Sequence, residues 1–355
     1  MKRIIHKTYF MMKKESFILG LAACMCAFTS CSDKEEPQQS QDSRVISLSA
    51  VVPNTSRGAS TTTATIKNFV VYAFTGGSVL MDGVKVTRDG ASWVYSPEAY
   101  WPVTPVNFYA FSPEINVSAD ITGEGGGNIP GYINDGTKDL LYSVRTNVIQ
   151  QAAPVSLNFR HALSKVSVLI SSTNQRINVA VSYIKLNNIY HQGSFTFPAT
   201  STLASTPEAV GSWSELKGKT DMLTFAILGE EDKVELTPVP TDYSLNTLDC
   251  SYVIPQPLSK VELSESGYTG TYIEVDCEIF DSATGAKLWP NANTPDYMLV
   301  PQTSTGRIIY PASSDNVKAY LPGHAYIYNI SINNPSVLDK IEFDVTVDDY
   351  SIDQM

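Results

Sequence analysis

From Val45 to Val347 the chain is written in short runs in which apolar and polar side chains alternate, separated by Gly, Pro, Asn and Ser clusters, and no run carries a sustained 3.6-residue period. Alternation of period two places successive side chains on opposite faces of a strand, so a chain of such runs can bury its apolar side only by stacking sheets. The sequence therefore predicts an all-β protein, with Val179 to Ile189 and Asp296 to Val300 each among its strand candidates. Its first run, Val45 to Val52, is the cleanest: Ile46, Leu48, Ala50 and Val52 share one face, and Val45, Ser47, Ser49 and Val51 the other. Burial of those four inward side chains would contribute about 4–10 kcal/mol, comparable with the stability of a whole domain.

What precedes this strand is not fold. Lys13 and Lys14 form a basic start and Phe17 to Phe28 an apolar stretch of twelve residues, too short to span a bilayer and suited to a secretory signal. Two cysteines, Cys24 and Cys31, fit a lipoprotein box, and Cys31 is preferred because it leaves the apolar stretch whole and is followed at once by polar residues. A charged tether, Ser32 to Ser43, then leads into the strand, and an Arg-bearing loop, Asn54 to Ser60, follows it. Arg57 in that Pro, Asn, Ser and Gly loop is suited to proteolysis, which would make residues 31–57 a removable leader. The expected organisation is a signal at 1–30, a lipidated tether and removable first strand at 31–57, and β-sandwiches at 58–172 and 173–355.

Without residues 1–30 the chain holds 20 basic against 35 acidic residues, a surface that repels nucleic acid and anionic lipid. No later run is long or apolar enough to span a membrane, so the lipid alone is expected to hold the protein there. Beyond the leader only Cys250 and Cys277 remain, each in phase with apolar strand neighbours, and either a disulfide or two buried thiols fits.

Signals for chemistry are weak. His161, His191 and His324 lie far apart, and His161 reads as a structural turn histidine. No serine sits in a Gly-x-Ser-x-Gly frame. Gly123 to Asn128 lacks the Gly-Lys-Ser/Thr of a phosphate loop and reads as a flexible surface loop, and Asp344, Asp348, Asp349 and Asp353 match no calcium-loop spacing. Neither an enzyme nor a cofactor is expected. Trp93, Trp101, Trp213 and Trp289 are candidate platforms for a glycan, although Trp101-Pro102 and Trp289-Pro290 read equally as core plugs.

Tyr100-Trp101-Pro102, Val106 to Pro113, Asp139 to Tyr142, Val155 to Val166, and Leu321 to Ile330 followed by Leu338 to Phe343 together resemble the fimbrillin family of Bacteroidales, in the right order over nearly the whole mature chain. Ser32 to Glu36 also resembles the export signal that takes Bacteroidota lipoproteins to the outer face of the outer membrane. The resemblance implies a type V pilus subunit of two tandem transthyretin-like β-sandwich domains, exported as a lipoprotein precursor. It further implies that an extracellular Arg- or Lys-directed protease removes the lipid and first strand, and that a strand from another fimbrial subunit fills the groove. Arg57 maps to the cleavage position and Cys31 to the lipidated residue. Because the tail from Asp348 to Met355 is too polar to donate, either the last strand, with Ile341, Phe343, Val345 and Val347 on one face, is the donor, or the subunit only accepts a strand, as a tip would. A surface lipoprotein that keeps its lipid and binds glycan or a host ligand, and a pilus anchor, are the competing readings.

Overall fold

The structure is a computed structural model that describes residues 44–52, 61–115, 119–121, 126–220, 223–227, 233–242, 252–264, 267–334 and 343–349. Cys24, Cys31, Arg57, Cys250, Ile341 and Asp353 lie outside the described residues.

In chain order the first strands are β1 (Leu48–Val51), β2 (Asn68–Thr75), β3 (Ser78–Asp89), β4 (Ser92–Val94), β5 (Val106–Ser112), β6 (Asp120–Ile121), β7 (Gly127–Ile133), β8 (Leu141–Val148), β9 (Val155–Asn158), β10 (Arg160–His161) and β11 (Ser164–Ser171). There follow β12 (Ile177–Asn187), β13 (Ile189–Thr196), β14 (Ser212–Thr220), β15 (Leu223–Ile227), β16 (Val234–Glu235), β17 (Thr241–Asp242), β18 (Tyr252–Val253), β19 (Gln256–Pro257), β20 (Glu262–Ser264) and β21 (Gly267–Thr269). The last are β22 (Tyr272–Asp281), β23 (Lys287–Trp289), β24 (Gly306–Pro311), β25 (Ala319–Tyr320), β26 (His324–Ser331) and β27 (Phe343–Asp349). The protein is all-β, as its alternation predicts.

A six-stranded sheet in the order β10-β8-β5-β2-β3-β4 is covered on both faces. Residues 69, 71 and 73 of β2 and 106, 108 and 110 of β5 pack against β1 and β9, whereas Val70, Phe74, Tyr109 and Phe111 pack against the sheet β14-β13-β7-β6. That double burial is why β2 is apolar on both faces. A further core lies between β12 and β22 of another six-stranded sheet and β11 and β26, with Val166, Val168, Ile184, Val275, Cys277 and Tyr328 inside it.

Pairing crosses the expected junction at residues 172 and 173, because β13 and β14 share a sheet with β6 and β7. Three local expectations are corrected. Asp296 to Val300, read as a strand, contains a 3₁₀ turn at Asp296–Met298, and pairing begins beyond the turn, where Leu299 makes an isolated bridge to Gly306. The run Val179 to Ile189, read as one strand, is split by Asn188 at φ 59°, whose side chain donates to the Gly270 carbonyl at 2.8 Å. Finally, Gly127 and Asn128 of the Gly-rich stretch are strand: a Cβ on Gly127 would meet Ile121 at 2.7 Å, so this glycine permits close approach of β6.

Candidate functional site

The first strand occupies a seat made from three stretches of the body. Along one edge β1 runs parallel to β9, with Leu48 opposite Val155 and Ala50 opposite Leu157. Val155 N–H donates to the Ser47 carbonyl at 2.8 Å and Phe159 N–H to the Val51 carbonyl at 2.7 Å. Ahead of β1 the chain pairs instead with residues 99–101: Trp101 N–H donates to Arg44 O at 2.8 Å and Ile46 N–H to Ala99 O at 2.9 Å. The Tyr95 hydroxyl donates to the Ile46 carbonyl at 2.6 Å. Just beyond the strand, Thr63 Oγ1 accepts from Val52 N–H and donates to the Val52 carbonyl, both at 2.7 Å.

Ile46, Leu48, Ala50 and Val52 are 0–5 % exposed, while Val51 on the opposite face is 40 % exposed. They complete a core with Phe69, Val71, Phe108, Leu141 and Leu157. The seat is thus apolar below and lined by main-chain donors and acceptors at the sides, an arrangement suited to binding an extended chain through its backbone and alternate side chains.

The last strand stands elsewhere. β27 pairs antiparallel with β26 at one end of the order β17-β11-β26-β27, placing Phe343 opposite Ile330, Val345 opposite Tyr328 and Val347 opposite Tyr326. Val347 is 42 % exposed. β1 and β27 belong to different sheets, so the structure does not bring the two together.

Titratable groups elsewhere are tied into the fold. His161 and Asp139 are buried and meet at 2.7 Å between Nδ1 and Oδ2. On the outer face of β22, Glu274, Asp276 and Glu278 form a row flanked by Lys185, Lys233, Lys287 and Arg307. Burial, and next the Asp276 charge, push the Glu274 carboxyl up from its ordinary range. Burial also raises the Cys277 thiol, which is free. Among the described residues no group of three His, Cys, Asp or Glu is arranged to hold a metal, and no helix is long and apolar enough to cross a membrane. Trp101 and Trp289 are core, Trp93 packs on Phe69, and Trp213 packs on Tyr132 and Phe195.

Sequence reasoning missed Thr63 and Tyr95, whose hydroxyls bond the backbone of the first strand. The one signal available was the Thr61-Thr62-Thr63 run directly after the Arg-bearing loop.

The protein is thus an all-β chain in which its own first strand fills an apolar seat in the body. The fimbrillin-like family profile matches residues 55–349, and the chain belongs to that family. As a member it is a cell-surface protein of the fimbrial class. Among solved structures it resembles a fimbrial protein from Bacteroides vulgatus, with 14% identity and a TM-score of 0.56 over 86% of this chain and 99% of that one. A putative cell adhesion protein from Parabacteroides distasonis gives 12% identity and a TM-score of 0.50 over 88% and 99%. Another, from Bacteroides uniformis, gives 14% and 0.47 over 88% and 100%. No curated protein matches the chain.

Proposed function

We propose that this protein is a structural subunit of a cell-surface fimbria, exported as a lipoprotein precursor acylated at Cys31 and activated by removal of its first strand after Arg57. The observation that supports this reading most is the placement of Ile46, Leu48, Ala50 and Val52, four core side chains that sit ahead of Arg57 in the sequence and whose covalent link to the body runs through residues 53–62. Cutting there severs the covalent link of a strand whose departure opens an apolar groove flanked by unpaired backbone on β9. Such a groove is a template for a strand from another subunit, and a head-to-tail contact of that kind propagates without closing.

In this reading the leader keeps the precursor monomeric until an extracellular Arg-specific protease acts. The donor is the strand carrying Ile341, Phe343, Val345 and Val347, and its ladder to β26 alone among the described strands is the feature that favours it. In this reading two of the three cores among the described residues, the one around β1 and the one between β11, β26 and β12, β22, correspond to two tandem transthyretin-like sandwiches. Arg57→Ala tests the reading: the variant should reach the surface with residues 31–57 attached and form no high-mass ladders. Normal fibres from that variant would overturn it.

A further inference from the structure

Cutting the chain is not the same event as losing the strand. The segment 44–52 is gripped at both ends by side chains that remain with the body. Upstream, Tyr95 Oη donates to the Ile46 carbonyl at 2.6 Å and accepts from Ala99 N–H at 3.4 Å, while Ala99 O accepts from Ile46 N–H at 2.9 Å. Downstream, one hydroxyl, Thr63 Oγ1, satisfies both the N–H and the C=O of Val52 at 2.7 Å.

Thr63 itself is held firmly. It lies in a turn where Thr65 and Ile66 N–H donate to Thr62 O at 3.0 and 2.9 Å, and Thr62 N–H donates to Thr65 Oγ1 at 2.8 Å. Arg88 Nη1 donates to the Thr63 and Ala64 carbonyls at 2.8 and 3.0 Å, fixing the turn to β3. The guanidinium of Arg88 lies over Trp93 at 5.9 Å, and Trp93 packs on the core residue Phe69 at 5.0 Å. Thr63 comes after residues 53–60 in sequence, so a cut anywhere in that segment leaves it on the body side.

We infer that Thr63 and Tyr95 are positioning residues that clamp the backbone of the first strand and set how slowly it leaves after cleavage, so that a nicked, still-closed subunit exists between proteolysis and strand replacement. The inference rests on the maturation reading above. Both clamps bond main-chain atoms, which every strand presents. The same hydroxyls therefore serve an incoming strand whatever its sequence, and the resident strand is held without its side chains being read at these two points.

The test uses the full chain with a recognition site for a sequence-specific protease placed between Asn54 and Gly58, so that the cut does not depend on Arg57. After cutting, dissociation of the N-terminal peptide is followed by size exclusion with intact-mass detection. The nicked wild type should retain its peptide through the column, Thr63→Val should release it about tenfold faster through loss of two hydrogen bonds, and Tyr95→Phe should release it several-fold faster. Thr63→Ser, which keeps the hydroxyl, should stay near the wild-type rate. Immediate loss of the peptide from the nicked wild type would overturn the inference, as would equal rates for wild type and Thr63→Val or for Thr63→Ser and Thr63→Val. The maturation reading fails separately, through surface protein that retains the residues before Gly58.

Discussion

Leu48 lies directly opposite Val155 across the parallel ladder of β1 and β9, and the two side chains are 3 % and 1 % exposed. The first strand is therefore part of the precursor's core, and truncating it should cost what a core truncation costs. Leu48→Ala should lower the unfolding free energy of the uncut chain by about 2–5 kcal/mol. Val51→Ala, on the exposed face of the same strand, should change it by about 0.5 kcal/mol or less. Denaturant titration of both variants checks the contrast, and equal effects would remove the distinction between the faces.

Arg160 spreads its guanidinium over four carbonyls of one loop: Nη1 donates to Pro207 and Ala209 at 3.1 and 2.8 Å, and Nη2 to Leu203 and Thr206 at 2.8 and 2.7 Å. A planar fork can serve four acceptors at once, whereas an ammonium cannot. Arg160→Lys should accordingly be as damaging as Arg160→Ala, each raising amide exchange across 203–209. Protection retained in the lysine variant would contradict this.

Glu274 sits on β22 beside Asp276, faced by Lys185 from β12, whose Nζ is 3.5 Å from Glu274 and 3.3 Å from Asp276, and by Arg307 from β24. Burial and the Asp276 charge raise its carboxyl in the folded chain, so the folded state binds this proton more tightly than the unfolded state. The stability from that site is complete below the unfolded carboxyl value of about 4.3 and is lost as pH rises through the raised folded value. Glu274→Gln should remove that loss, so the variant gains on the wild type as pH rises through this window. Parallel stability curves at pH 4 and pH 8 would contradict it.

Cys277 is 0 % exposed in the core between β22 and β26, with its thiol raised by burial and next by Asp276. Alkylation followed by peptide mapping should leave Cys277 unmodified in the native chain and label it only on unfolding. Labelling of native protein at the rate of an exposed thiol would be inconsistent with this core.

Much of the fold follows from period two, and its failures have local causes. At 46–52 the alternation conveys which side chains face inward. It does not convey the parallel partner β9, which lies about a hundred residues away. β14 leaves no alternating trace, because its inward residues, Trp213 and Leu216, are three apart: Glu215 at φ 52° lies where the register against β13 shifts, so the apolar spacing no longer alternates. β7 was hidden in a Gly-rich stretch whose glycines answer to neighbouring strands, and Gly193 likewise would place a Cβ 2.9 Å from Leu216. Clamps such as Thr63 and Tyr95 leave no periodic trace, because they act on another segment's backbone.

The most direct measurement is the N-terminal residue of the protein recovered from the cell surface, read by mass spectrometry on a sample also examined for high-mass ladders. A polymerising subunit activated by strand removal predicts Gly58 at the N-terminus together with ladders. An acylated Cys31 with no ladders would contradict it and point to a lipoprotein that keeps its first strand in place.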